Sequence, residues 1–321
     1  MMKKTKIWLV AAASLVLLGC VIFAGVMSVL KWDFRKLSTI KYATNRYEVN
    51  ENFKDISIAT DTADVVFVPS DDDKSSVVCY EQENMKHSVK CQDGTLVIKL
   101  EDSRKWYQYI GINFSSPKIT VYVPRGLYGA LTLKASTGDV EIPVDFEFES
   151  VDVSVSTGHV KAYASTSGVM KIKATTGNIF VKGVSAGELQ LSASTGDIAV
   201  DSVVCVGEFG INVGTGNTKL QDVKCKNIIS NGSTGDIIFK NVIAVENFSV
   251  KRSTGDVKLD KCDAAELMIK TDTGDVTGNL LSEKVFITRT DTGHVNVPKT
   301  VTGGKCEIET DTGSIKITIE D

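Results

Sequence analysis

From residue 131 to the end of the chain, apolar and polar positions alternate in short runs that restart every 19 or 20 residues. Each restart carries a Thr-Gly pair, whose glycines are Gly138, Gly158, Gly177, Gly196, Gly216, Gly235, Gly255, Gly274, Gly293 and Gly313. Seven positions before the glycine stand Leu131, Val151, Met170, Leu189, Phe209, Ile228, Phe248, Leu267, Phe286 and Cys306. Five before it stand Leu133, Val153, Ile172, Leu191, Ile211, Val250, Ile269 and Ile308, with Ser230 and Thr288 as exceptions. Three before it the column is smaller, with Ala135, Ala174, Ala193, Thr271, Thr290 and Thr310. Steps of two predict a strand with one buried face. Lys134, Lys173, Lys251, Lys270 and Arg289, one step off that face, point outward.

A second strand follows the glycine. Val140, Val160, Ile179, Ile198, Ile237, Val257, Val276, Val295 and Ile315 hold its second position, and Thr218 breaks the column. A third column, seven after the glycine, holds Val184, Val203, Val223, Val242, Cys262 and Leu281. Three inward columns predict three short sides per coil. A single coil cannot bury its own face, so each is expected to stack on the next. The chain therefore reads as an all-β parallel solenoid of about ten coils, a rod roughly 48 Å long at about 4.8 Å per coil.

The glycine is expected at a corner with φ > 0, which it adopts without steric cost. The residue after it is Asp139, Asp197, Asp236, Asp256 or Asp275, or else Asn178, Asn217, His159, His294 or Ser314. Those types suit a turn, where short polar side chains bond nearby backbone. Asp236, Asp256 and Asp275, with Asp272, Asp291 and Asp311, also form rows of carboxylates of the kind a hard cation such as calcium takes. Turn chemistry is the favoured reading, because the Gly-Gly-x-Gly-x-Asp spacing of calcium-binding coils is missing.

The first residues differ. Residues 1–6 are basic, and residues 7–30 carry no charge over 24 positions, roughly 36 Å as a helix. Leu17-Leu18-Gly19-Cys20 has the form of a lipoprotein-processing box, yet the apolar run continues beyond Cys20, which favours an uncleaved spanning helix. The resulting division is a basic N-terminus (1–6), a transmembrane helix (7–30), a linker (31–43), an N-terminal β cap with a hairpin (44–130) and the solenoid (131–321). Ile56 to Val65 resembles a degenerate coil with Ala63 at the glycine position, and Val77–Tyr80 with Ser88–Cys91 suggest the hairpin. Lysines lie on both sides of the span. A signal-anchor reading places the protein at a cell membrane, single-pass, with its C-terminal domain outside.

A net charge of −4 gives no basic footprint for nucleic acid. Cys205 and Cys225 share a coil offset and are expected to stack within disulfide range, and Cys79 and Cys91 could pair across the hairpin. Cys262 and Cys306 fall in apolar columns and read as core. His87, His159 and His294 have no nucleophile or second ligand at a motif spacing, so no catalytic residue, cofactor site or metal site is assigned. Trp106, Tyr107, Tyr109 and Phe114 read as packing over the end of a core.

The Thr-Gly-Asp ladder, with Trp106-Tyr107-Gln108-Tyr109-Ile110 and Ser115-Ser116-Pro117 through Pro124 before it, resembles the bacterial putative-adhesin β-strand-repeat family of unknown function, including membrane-anchored proteins of the LiaG type. The resemblance covers roughly residues 40–321. It implies a right-handed parallel β-helix at the cell envelope and brings no established catalytic residue. The leading expectation is a non-enzymatic envelope protein presenting an adhesin-like or structural surface to a protein or polysaccharide ligand. A regulatory or stress-associated protein acting through a membrane partner is the alternative, and a polysaccharide-active β-helix enzyme is a weaker one.

Overall fold

Branched apolar residues alternating with small polar and charged ones extend the chain rather than coil it into helix. The computed structural model describes residues 2–33, 36, 41–104 and 115–320. Beyond residue 41 it is mostly strand wound into a β-solenoid, preceded by one α-helix, Met2–Val29. Along the first side Val151 pairs in parallel with Leu131 and Met170, and Val153 with Leu133 and Ile172. Along the second, Val160 pairs with Val140 and Ile179. Along the third, Val223 pairs with Val203 and Val242. The inward columns merge into one continuous apolar core, with Phe146, Phe148, Phe209, Phe239 and Phe248 among its largest members. Each such side chain stabilises by about 1.5–3 kcal/mol when buried, and coil on coil is the only way to bury it.

All ten corner glycines have φ between 123° and 154°. Stacking adds a second constraint. A Cβ on Gly158 would overlap the Gly138 carbonyl oxygen, and one on Gly177 would overlap that of Gly158. The coils approach most closely at this corner, so glycine is required by contact as well as by conformation.

A second left-handed corner lies six residues after the glycine, at Gly183, Ser202, Asp222, Asn241 and Lys261. The Gly274 coil has no left-handed residue there, and its register shifts so that Leu280 faces Cys262. Leu280 is therefore buried and Leu281, expected in the third column, is exposed.

The coils do not all stack in chain order. Strand Gly304–Thr312 lies between Glu266–Thr273 and Lys284–Thr292, parallel to both. Ile315–Ile319 lies likewise between Val276–Leu280 and Val295–Asn296. The Gly313 coil is thus inserted beneath the Gly293 coil, which becomes the outermost. The same inversion occurs at the other end. Asp55–Thr62 pairs with both Gly126–Thr137 and Thr95–Asp102, so the earlier segment is the inner layer and the later one the outer. Ala63 stands where the next coil has Gly138.

At that N-terminal end the outer layer is covered by antiparallel strands. Met85–Gln92 pairs with Thr95–Asp102, Ser75–Gln82 pairs with Lys118–Val123, and Tyr42–Val49 pairs with Ser75–Gln82. The hairpin differs from the expected one. Ser75–Gln82 and Met85–Gln92 share only the pair Gln82↔Met85 before diverging to different sides of the prism. Residues 106–114, with the aromatic cluster, lie outside the described residues. In the helix, Thr5–Val29 has a mean hydropathy of 2.6 and is long and apolar enough to cross a membrane.

Candidate functional site

A groove with an apolar floor lies on the flank of the first side, with a volume of about 380 Å³. Two outward rows build it. Eight residues before the glycine come Glu208, Asn227, Asn247, Glu266 and Lys305, and six before it come Ile229, Ser249, Met268 and Glu307. Inward Phe248 and Leu267 lie beneath. Parallel registry aligns the rows, with Glu208 beside Asn227, Asn247 beside Glu266, and Met268 beside Glu307. The inserted Gly313 coil supplies Lys305 and Glu307, so the groove depends on the inverted strand order.

Within the first row, Asn247 donates from its backbone N–H (3.1 Å) and its side-chain amide (2.9 Å) to Asn227 Oδ1. Asn227 Nδ2 donates to Glu246 Oε2 at 3.3 Å. Lys305 pairs with Glu307 at 2.6 Å, and Glu307 pulls the lysine pKa upward by hydrogen bond and charge. The groove thus offers a lane of amide and carboxylate groups beside a row in which apolar Ile229 and Met268 alternate with Ser249 and Glu307. Such a surface can hydrogen-bond an extended chain repeatedly while shielding its apolar parts. The −8 and −6 columns were readable in the aligned repeat, but nothing in the sequence distinguishes a groove from a flat solvated face.

The corner residues form a different device. Asp139 Oδ1 accepts the His159 N–H at 2.7 Å, and His159 Nδ1 accepts that of Asn178 at 3.0 Å. Asn178 receives Asp197, Asp197 receives Asn217, and Asn217 receives Asp236. Asp236 then receives Asp256, Asp256 receives Asp275, and Asp275 receives Ser314, at 3.0, 3.0 and 2.7 Å. His294 N–H donates onward to Ser314 Oγ. One carboxylate oxygen of Asp236, Asp256 and Asp275 is therefore committed to the neighbouring coil. Asp272, Asp311 and Asp291 stack in that order on an exposed face, where Arg289 pairs with Asp291 at 3.3 Å and with Glu309 at 3.7 Å.

Among the described residues, the ligand-bearing atoms that converge are those of Cys79, Glu81 and His87, all buried and within 4.8 Å of one another. The polar valences of Glu81 and His87 are taken. Glu81 accepts from His87 N and Nδ1 (both 2.7 Å), Asn45 Nδ2 (2.7 Å) and Tyr47 OH (3.1 Å), while His87 Nε2 meets Thr60 Oγ1 at 3.0 Å. Burial pushes the Glu81 carboxyl up, but the hydrogen bonds from His87 and Asn45 outweigh it and hold the group below its ordinary value. This network ties the covering strands to the first coil, and no residue spacing along the chain points to it.

Cys205 and Cys225 are register partners, both buried and both free thiols. Their sulfurs face carbonyls on opposite sides, Cys205 towards Glu208 O at 3.3 Å and Cys225 towards Ile243 O at 3.9 Å. Cys79 and Cys91 are not brought together. Cys79 lies between Asn45 and Ile119, whereas Cys91 faces Leu96, because the two strands diverge after one pair. Cys262 and Cys306 are fully buried.

A family model described as Toastrack DUF4097 matches residues 53–208 and 206–321. No curated protein matches the chain. Similar solved structures include a putative adhesin from Parabacteroides distasonis ATCC 8503, at 13% identity and a TM-score of 0.41, covering 85% of this chain and 98% of that one. A putative adhesin from Parabacteroides merdae ATCC 43184 has 15% identity and a TM-score of 0.43, with 87% and 96% covered. A protein described as a putative lipid binding protein, also from Parabacteroides distasonis ATCC 8503, has 15% identity and a TM-score of 0.44, with 88% and 98% covered.

Proposed function

The chain belongs to the Toastrack DUF4097 family, and from that premise we propose that it is a membrane-tethered, non-enzymatic rod whose flank binds extended protein or polysaccharide at the cell envelope. In this reading residues 7–30 anchor the chain, 31–43 link it, 44–130 close the near end and 131–321 form the rod, held outside the membrane. The observation that carries the reading is the groove of Glu208, Asn227, Asn247 and Glu266 beside Ile229 and Met268. Its two rows repeat with the coil, which suits a ligand that is itself a repeating or extended chain.

The test uses the full chain in detergent and isolated cell-wall material or envelope protein extract, read by co-sedimentation and cross-linking. Binding should fall at least about tenfold, roughly 1.4 kcal/mol, when Ser249→Arg and Asn247→Arg fill the groove from its two rows. Equal binding by that variant would remove the groove from the function. Protease cleavage of the rod on intact cells checks the external placement, and full protection there would overturn it.

A further inference from the structure

The two ends of the solenoid are unlike. The N-terminal end is covered by antiparallel strands, and the polypeptide leading from the helix enters the fold there, at Tyr42. At the other end, strand Lys284–Thr292 pairs with Gly304–Thr312 and, among the described residues, with nothing on its far side. The Thr292 and His294 carbonyls accept from Gly313 and Ile315. The residue eight before each glycine bonds back to the preceding coil, as Glu266 N–H does to the Glu246 carbonyl, so in this strand the N–H and C=O groups of Phe286, Thr288 and Thr290 face the free edge.

Natural proteins blunt such edges with proline, bulges or inward charges. Here the strand Lys-Val-Phe-Ile-Thr-Arg-Thr-Asp-Thr has no proline, and its one inward charge, Lys284 at the strand's start, is neutralised by Asp263 at 2.6 Å, which leaves residues 285–292 without such a device. Val285, Ile287, Val295 and Val301 are exposed around the edge, Ile287 by 52% and Val301 by 89%. The only outward charges on the strand are Arg289 and Asp291, of opposite sign and two residues apart, hence on one face.

We propose that this edge pairs with the same edge of a second copy, as an antiparallel two-fold dimer centred on Thr290. Centring there places each Arg289 directly opposite the partner's Asp291 and each Thr288 opposite the partner's Thr292. Thr290 points its backbone groups to the edge, so it forms the hydrogen-bonded pair with the same residue of the second copy, and the Arg289–Asp291 pairs flank it as the closer, non-hydrogen-bonded ones. A parallel, in-register pairing would set Arg289 against the partner's Arg289 and is disfavoured. The self-complementary pattern of one cation and one anion therefore selects both the occupant and its direction. Because the membrane helix joins the chain at the covered end, the dimer joins two rods through their ends remote from the anchor. The inference is independent of the flank groove.

The experiment measures the mass of the full chain in detergent by multi-angle light scattering across a concentration series, for the natural chain, Arg289→Asp, Asp291→Arg and the double swap. The natural chain and the double swap should dimerise with similar affinity, while each single variant, which sets like charges opposite each other twice, should weaken dimerisation at least about tenfold. Both positions are exposed, and circular dichroism melts confirm that all four chains are folded. A monomeric natural chain would overturn the proposal. So would a dimer indifferent to the single changes, which would place the contact elsewhere, such as in the membrane helix.

Discussion

The backbone N–H of Ser314 donates to the Asp275 carboxylate at 2.7 Å, although the whole Gly293 coil lies between them in sequence. The bond marks the slot into which the last coil has been inserted. Strand Ile315–Ile319 is thereby held between two strands instead of lying at the end of the rod.

Truncating the chain after Thr302 tests that order. In the full chain the segment 284–296 rests on Gly304–Thr312 and on nothing closer to the rod. Removing 303–321 should therefore release 284–302 to rapid proteolysis, with the Gly274 coil exposed. If the truncated chain instead protects 284–296 as well as the full chain does, that coil has restacked on Gly274 and the inserted strand is not needed to hold it.

Glycine substitutions should separate the two constraints at the corners. Gly158→Ala faces both a φ of 145° and the Gly138 carbonyl oxygen, and should cost about 3 kcal/mol or more. Gly94→Ala faces a φ of 74° with open space around it, and should cost only about 1 kcal/mol. Urea midpoints measure both. Equal losses would mean that the close approach of stacked coils contributes nothing beyond conformation.

Much of this was legible beforehand, and the residues show why. The columns at −7, −5 and +2 are fixed by burial, which the apolar period reports directly. Coil order is not fixed by that period. The Gly293 and Gly313 coils carry nearly the same pattern, Phe-Ile-Thr-Arg-Thr-Asp-Thr-Gly and Cys-Glu-Ile-Glu-Thr-Asp-Thr-Gly, so either could lie next to Gly274. Leu281 was misplaced for a related reason. Its column assumes a left-handed corner residue before it, and Leu280 takes the inward position when that corner is missing. The Glu81–His87 pair depends on where two covering strands cross the first coil, which no local spacing encodes.

In the proposed external placement of the rod, Cys205 and Cys225 are expected to form a disulfide between adjacent coils. Register places their Cα atoms about 4.8 Å apart, within the usual range for a bridge. Each sulfur must turn from its present carbonyl, and the two thiols give up two protons and two electrons to the envelope's thiol–disulfide exchange chemistry. Mass spectrometry of non-reduced peptides from membrane-extracted protein should find the cross-link. Two free thiols in that material would exclude it.

The buried thiols make stability fall at alkaline pH. Burial pushes Cys79 and Cys306 up to about 12 and Cys262 up to about 11, from an ordinary value near 9. With folded values raised, their contribution is complete below pH 9 and is lost as pH rises from about 9 towards 11–12, because only the unfolded chain releases the protons. Each thiol weakens folding by up to about 1.4 kcal/mol per pH unit inside that window. Urea midpoints at pH 8, 9 and 10 should decline only above 9, and Cys306→Val should make the decline shallower. A midpoint flat to pH 10 would mean that these thiols ionise inside the fold.

The last expectation concerns a cation inside the core. Arg252 is 3% exposed, in the inward column three before Gly255, and its guanidinium runs along the axis beside Gly232. Nη2 donates to Thr218 Oγ1 at 3.1 Å and Nη1 to Val213 O at 3.4 Å, while Nε and the nearby coil's Ser230 Oγ have no partner. Burial lowers the Arg252 pKa, with a weaker opposing pull from Asp236. Three polar interruptions of the inward columns, Thr218, Ser230 and Arg252, thus fall in consecutive coils, and Gly232 supplies the space. A charge buried with so few bonds costs more than it returns. Arg252→Met should therefore be neutral or stabilising by about 1–4 kcal/mol. Gly232→Ala would collide with the guanidinium and with the Val213 carbonyl, and should be destabilising. In the double variant the collision with the guanidinium is gone and the one with Val213 remains, so the cost of Gly232→Ala should shrink without vanishing. Additive changes in the urea midpoint would show that Arg252 does not occupy the space beside Gly232, and a large loss on Arg252→Met alone would show that the guanidinium holds the core together.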